Sequence, residues 1–254
     1  MKTFKIGIDI GNSSTKINLN LKEILAIDND QLLRNEIIPD KSLNEQLQTY
    51  DKFIVSISSV NDEETTKEIS QKIIDALPNA NVESTLWDSK KILENSGLVN
   101  ASQLYHFGTD RALRIYHLNK LERGSAKISC GCGSAFTVEV VQNGYLIESY
   151  ILPGLTMQLE SLHQKTVKLP LILAEQIPDE VANTTIFSTS YSIINGVIKS
   201  YTAIIEKLLL EYKPNQLILS GGYAPLLKSF FANNRIISAT RSLESEILIH
   251  WGIP

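Results

Sequence analysis

Asp9 stands two residues ahead of the run Gly11-Asn12-Ser13-Ser14-Thr15-Lys16. A glycine at a tight turn lets backbone N–H groups converge on an anion with no side chain in the way. The hydroxyls of Ser13, Ser14 and Thr15 add donors, and Lys16 closes the candidate phosphate-binding run. An aspartate on the strand just before such a turn suits Mg²⁺, which takes few carboxylates and keeps much of its hydration. A second run, Gly133-Ser134-Ala135-Phe136-Thr137, repeats the pattern at a constant offset that sets Gly133 on Gly11 and Thr137 on Thr15. Gly133, Ser134, Ala135 and Thr137 are thus candidates for a second phosphate-binding turn. Two unrelated hairpins can share so short a match, and the alignment alone does not separate repeat from coincidence.

Two further places carry chemistry. Gly108-Thr109-Asp110-Arg111 lies at the start of a helical pattern that runs to about Leu118. Asp110 there is either a helix cap or a general base for a hydroxyl nucleophile, with Arg111 binding an anionic substrate. Gly108 and Thr109 belong to the same candidate substrate site. Ser220-Gly221-Gly222 follows the apolar run Leu217–Leu219. Gly221 and Gly222 either admit a flat ligand such as adenine or form a plain strand-to-helix turn.

These residues need elements to position them. Phe4, Ile6 and Ile8 alternate with Lys5 and Gly7, and alternation resumes over Lys16–Leu21, so Phe4–Leu21 reads as two strands around a turn. Ile24–Ile27 and Phe53–Ser56 read as short strands, and Glu63–Leu77 has helical spacing that Pro78 stops. The pattern then restarts: strands at Lys127–Cys132, Phe136–Val141 and Tyr145–Leu152, with Asn143-Gly144 as a hairpin turn. A helix opens at Pro153-Gly154, a long amphipathic one covers Ser190–Tyr212, and Leu217–Leu219 is a buried strand. Strands alternating with helices define an α/β chain.

The chain has 254 residues, 43% hydrophobic and 20% charged, with a formal net charge of −4. That composition suits a soluble protein of one large or two ordinary domains. No basic stripe points to nucleic acid. No apolar run reaches the roughly 18 residues of a membrane-spanning helix, and no leader is expected before the first strand. Cys130 and Cys132 flank one glycine on a strand, a spacing too short for an unstrained disulfide, so they read as thiols in a reducing cytoplasm. The four histidines fall at no metal-ligand spacing.

The order Ile8-Asp9-Ile10-Gly11-Asn12, Gly108-Thr109-Asp110-Arg111, Gly133-Ser134-Ala135-Phe136-Thr137, Pro153-Gly154-Leu155, Leu169-Pro170 and Ser220-Gly221-Gly222 resembles that of the type III pantothenate kinases. The resemblance implies an actin-like fold of two ribonuclease-H-like domains with a cleft between them, expected at 1–120 and 121–254. It implies ATP-dependent phosphorylation of the primary hydroxyl of pantothenate, the first step towards coenzyme A. It also implies a homodimer, Mg²⁺ and a monovalent cation, K⁺ or NH₄⁺. By position, Asp9 resembles the Mg²⁺ and phosphate carboxylate. Asp110 resembles the general base, Arg111 its pantothenate-binding neighbour, and Thr189 a threonine given to the partner's pantothenate site.

Two departures stand out. The family's second turn usually reads Asp-x-Gly-Thr-Ala-x-Thr-x-Asp; here the first aspartate is Gly131, the threonine is Ser134 and the last aspartate is Glu139. On the strand before Pro153-Gly154 the family usually has Gly-Gly, whereas this chain has Glu148-Ser149, which would crowd and repel an anionic acceptor. One electrostatic contact in a transition state is worth about 2.7–4 kcal/mol. Besides the active pantothenate kinase, two other readings follow: a nucleotide-binding or regulatory protein with weakened catalysis, and a kinase for another small hydroxy acid.

Overall fold

The computed structural model describes residues 2–19, 23–34, 47–78, 81–122, 124–174, 177 and 188–250. The chain folds as two compact units, one of Met1–His117 with Ser242–Pro254 and one of Leu118–Arg241.

The first unit is built on β1 (Thr3–Ile10), β2 (Ser14–Leu19), β3 (Glu23–Asp28), β4 (Lys52–Ser59) and β5 (Asn81–Trp87). They form one sheet in the order β3-β2-β1-β4-β5. β1 to β3 run antiparallel, and β4 and β5 add on parallel. On the two central strands Phe4, Ile6, Ile8, Ile10, Phe53, Val55 and Ile57 share one face of the sheet, and all belong to the core. Around the sheet lie α1 (Asn29–Leu33), α2 (Glu63–Asp75), α3 (Ser89–Glu94) and α4 (Thr109–Lys120). Asp62 caps α2 by accepting from the Thr65 N–H, and this hydrogen bond lowers the Asp62 carboxyl below its usual range. Ile69 and Ile73 supply that helix's buried face, at the spacing expected from sequence.

The second unit repeats the plan. It contains β6 (Lys127–Cys132), β7 (Ala135–Gln142), β8 (Tyr145–Pro153), β9 (Gln216–Ser220) and β10 (Ile237–Thr240). Their order is β10-β9-β6-β7-β8, the first sheet's order read from the other edge, with the same antiparallel and parallel pairings. The β7–β8 turn uses Asn143 and Gly144, both at positive φ, as the hairpin signal required. Helices α5 (Leu155–Gln164), α6 (Thr189–Tyr212) and α7 (Ala224–Ser229) complete this unit. α6 is a core helix: Ile194, Val197, Ile198, Tyr201, Ile205 and Leu208 are buried against the sheet. Cys130 and Cys132 are both buried and neither is in a disulfide. Among the described residues no helix is long and apolar enough to cross a membrane.

The expected division at residue 120 needs one correction. The last helix, α8 (Leu243–His250), lies on β1 of the first unit, not in the second. Gly7 makes that approach possible, because a Cβ there would lie 2.1 Å from the Ser245 carbonyl oxygen. α8 is buried on most sides, with Leu243, Ile247, Leu248 and Ile249 all in the interior.

Candidate active site

Asp9 lies at the C-terminal end of β1, paired across to Lys16 of β2 and to Ser58 of β4. Its carboxylate is buried and accepts one hydrogen bond, 2.9 Å from the Ser58 hydroxyl. Burial pushes its pKa up from 3.8 to about 7, and the negative charges of Glu244 and Asp110 push the same way against Lys16 and Ser58.

The turn after β1 is closed by the Gly11 N–H donating to the Ser14 carbonyl at 3.1 Å. Three side chains hold it from behind. The Asn29 amide donates to the carbonyls of Gly11 (2.8 Å) and Asn12 (3.3 Å), and the Asn61 amide donates to Gly11 at 2.6 Å. The Thr15 hydroxyl donates to Asn29 at 2.8 Å and is fully buried, so Thr15 is a support of the turn and not the phosphate donor expected from sequence. With the carbonyls occupied, Asn12 and Ser13 remain at the exposed tip. The Lys16 ammonium reaches back to the Ser14 carbonyl at 3.4 Å and would lie 3.3 Å from a Cβ at position 11, so the cation sits over the turn.

Asp110 is in the first turn of α4, whose first residue is Thr109, so it is not the residue that caps the helix. One of its oxygens, Oδ2, takes a hydrogen bond from Arg114 one turn on, at 3.3 Å. The other, Oδ1, lies 2.6 Å from where a Cβ of Gly108 would be, so glycine there makes room for the carboxylate. The Thr109 hydroxyl donates to the Ser59 carbonyl at 2.7 Å, tying α4 to β4. Arg111 stacks its guanidinium over the Phe107 ring at 4.1 Å. Asp9, the Gly11 turn, Lys16 and Asp110 thus share one unit, and the charge of Asp110 is felt at Asp9.

A divalent cation fits this donor set. Asp9 is a buried carboxylate whose charged form lacks a compensating cation of full strength, with two more carboxylates in its field. Among the described residues no group of three or more His, Cys, Asp or Glu could hold a metal ion. One protein carboxylate with the remaining positions left to water and phosphate is the habit of Mg²⁺.

The second unit carries the second turn. Gly133 N–H donates to the Ala135 carbonyl at 3.2 Å, and Gly154 N–H donates to the Ser134 carbonyl at 3.0 Å. A Cβ at Gly154 would lie 2.2 Å from the Gly133 carbonyl oxygen, so the Pro153-Gly154 pair backs this turn by close packing. Gly133 itself faces open space and Ser134 is exposed. Thr137 is buried on β7 and pairs with Gly131. The turn is one residue shorter than in the first hairpin: Cys132 pairs with Phe136, whereas Ile10 pairs with Thr15. By register Thr137 therefore corresponds to Lys16, and the matching of Thr137 to Thr15 is corrected. Gly131 occupies the place of Asp9, flanked by Thr137 and by Ser220 of β9.

Gly221 has φ +118°, and a Cβ there would lie 2.6 Å from the Cys132 carbonyl oxygen, so this glycine is required by the backbone. Gly222 is exposed beside open space. A small cavity lies beside them, lined by Cys132, Gly133, Gly154, Tyr201 and Tyr223 among others. Thr189 is exposed in the first turn of α6, behind the cap Ser188. Tyr212 near the end of α6 donates to the Glu148 carboxylate, and this bond pushes the Tyr212 hydroxyl up to about 12. Glu148 is thus engaged by α6. Asn29, Asn61, Ser58, Arg114 and Glu244 were not singled out from sequence. Only Arg114 left a trace there, one helical turn after Asp110.

Two sheets of one topology, each opening with a glycine hairpin, define the duplicated ribonuclease-H-like architecture of actin-like proteins. A family model described as type III pantothenate kinase matches residues 5–211. The chain belongs to the type III pantothenate kinase family. It is 28% identical over 235 residues to a type III pantothenate kinase of Sulfurihydrogenibium sp., covering 87% of this chain and 89% of that one. It is 27% identical over 259 residues to one of Persephonella marina, covering 94% and 95%. A crystal structure of a Campylobacter jejuni protein described as a Baf family transcriptional activator shares the fold, with a TM-score of 0.58, 18% identity, and 96% and 94% of the two chains covered.

Proposed function

We propose that this protein transfers the γ-phosphoryl group of ATP to the primary hydroxyl of pantothenate. The observation that carries the reading is Asp110, held at the mouth of α4 in the same charged neighbourhood as Asp9. Asp110 accepts the proton of the attacking hydroxyl, and Arg111 presents its guanidinium to the acceptor's carboxylate. The N–H groups at the Gly11–Ser13 tip and the Lys16 ammonium hold phosphate oxygens, and the Gly133–Ser134 turn offers the same kind of donors. Mg²⁺ at Asp9 would neutralise phosphate charge when bound. Family membership further supports a homodimer to which Thr189 contributes, a monovalent cation, K⁺ or NH₄⁺, a cytoplasmic location, and adenosine beside Gly221 and Gly222.

The test is ADP release with pantothenate as acceptor. Asp110→Asn is expected to lower turnover by about 10²–10⁴ while leaving nucleotide affinity near its original value. Unchanged turnover in that variant would sink the assignment of the base. A panel of other hydroxy acids at saturating ATP separates pantothenate from a different acceptor.

A second reading rests on Gly131. The place that holds Asp9 in the first hairpin holds no side chain in the second. On this reading the protein binds nucleotide but turns it over slowly. Calorimetric nucleotide binding without ADP release would support it, and Gly131→Asp should then raise turnover. Brisk wild-type turnover removes it.

A further inference from the structure

Arg114 is the most completely buried arginine described in the first unit, 3% exposed, and it is clamped between two carboxylates. Its Nη2 donates to Asp110 Oδ2 at 3.3 Å, and its Nη1 donates to Glu244 Oε1 at 2.5 Å. Glu244 is 7% exposed and comes from α8, far along the chain from Asp110 and beyond the 5–211 span matched by the family model. Asp110 is the only exposed member of the three, with 31% of its side chain reachable. The order is therefore buried acid, buried cation, accessible acid.

We infer that Arg114 and Glu244 are positioning residues for Asp110, with Glu244 orienting Arg114 and Arg114 fixing the carboxylate that meets the acceptor hydroxyl. The inference rests on Asp110 serving as the base in the proposed reaction. Its physics is that of a charged side chain held by a second shell. A guanidinium presents its donors in a rigid plane, so anchoring one edge on Glu244 fixes where the other edge points. Asp110 sits on a short side chain at an accessible helix start, where a carboxylate would otherwise sample several rotamers. Gly108 closes the remaining side: its missing Cβ leaves the space that Oδ1 occupies. A base that is already oriented spends no energy on alignment when the hydroxyl arrives.

The alternative role for the pair is mere support of the packing between α4 and α8. A cycle of variants separates the two roles. Arg114→Gln and the double variant Arg114→Gln/Glu244→Gln are made in the wild-type protein and in Asp110→Asn. The double variant keeps the Glu244 side-chain volume and leaves neither Arg114 nor Glu244 as an unpaired buried charge. Thermal unfolding of each confirms a folded chain. In the wild-type background the double variant is expected to lower kcat by about tenfold, with KM for ATP and pantothenate within about twofold. In Asp110→Asn the same two changes are expected to cost nothing more, because residues that act through Asp110 fall silent without it. An equal loss in both backgrounds, or an unchanged kcat in a folded double variant, would overturn the inference.

A measurement free of turnover separates this idea from the pantothenate reading. With ¹³C-carboxyl-labelled aspartate, the Asp110 resonance is the one lost in Asp110→Asn. Arg114→Gln/Glu244→Gln is expected to shift it. If the wild type releases no ADP with pantothenate yet the resonance shifts, the pantothenate reading fails and the positioning stands. A resonance that stays in place in the folded double variant overturns the positioning whatever the acceptor.

Discussion

The two glycine hairpins share a place in the same sheet topology but are held in different ways. The first is held by side chains: Asn29, itself held by the Thr15 hydroxyl, and Asn61 occupy its carbonyls and leave its tip outward. The second is held by backbone contact, with Gly154 pressed under Gly133 and Ser134. The first also carries the buried carboxylate of Asp9, where the second has Gly131. A repeated fold thus preserves a turn's shape by unrelated means, while the charged chemistry gathers in one copy.

Changing each turn's own support is the sharpest way to break the contrast. Gly154→Ala should be the costlier change, at about 3 kcal/mol, because its new methyl meets backbone oxygens that cannot rotate aside. Urea unfolding measures the loss. A cost under about 1 kcal/mol would show that the second turn yields easily. Asn29→Ala should cost about 2 kcal/mol, since it strands the Thr15 hydroxyl and removes two donors from the turn. It should also weaken ATP binding, measured by calorimetry, whereas an intact nucleotide affinity would detach the first turn from the phosphates.

The third effect is one of pH, and it is read as a slope. Asp9 titrates near 3.8 when unfolded and at about 7 when folded. Between those values the folded chain keeps a proton that the unfolded chain has released. Asp9's contribution to stability is therefore fully present below about pH 4 and is lost as pH rises towards about 7, at up to about 1.4 kcal/mol per unit. Comparing urea midpoints at several pH values for the wild type and Asp9→Asn isolates that slope. The second hairpin, with glycine at this place, contributes none. Equal slopes in the two proteins would mean that Asp9 titrates near its ordinary value.

Much of the fold was legible because alternation and glycine turns are local signals. β1, β2, β6, β7 and the long α6 stood where their patterns put them. β5 was missed because Asn81–Trp87 is largely exposed and shows no apolar alternation. β10 has only four residues, and α8 is buried on most sides, so neither displays the periodicity that marks an amphipathic element. The site was readable as far as its turns and its two aspartates. Asn29 and Asn61 escaped because asparagine is common in any turn and its partner carbonyls lie many residues away. The register of Thr137 escaped because a constant offset cannot register the loss of one residue in a turn.

The placement of α8 has a consequence for how the polypeptide comes off the ribosome. Leu118–Arg241 is continuous and emerges whole, free to fold as soon as it clears the exit tunnel. The first unit is interrupted by it and waits for the stretch from Ser242 onward to supply α8. Until Glu244 is synthesised, Arg114 has no buried acid behind it. A nascent chain stopped short of that residue would carry the whole second unit and a first unit still without α8.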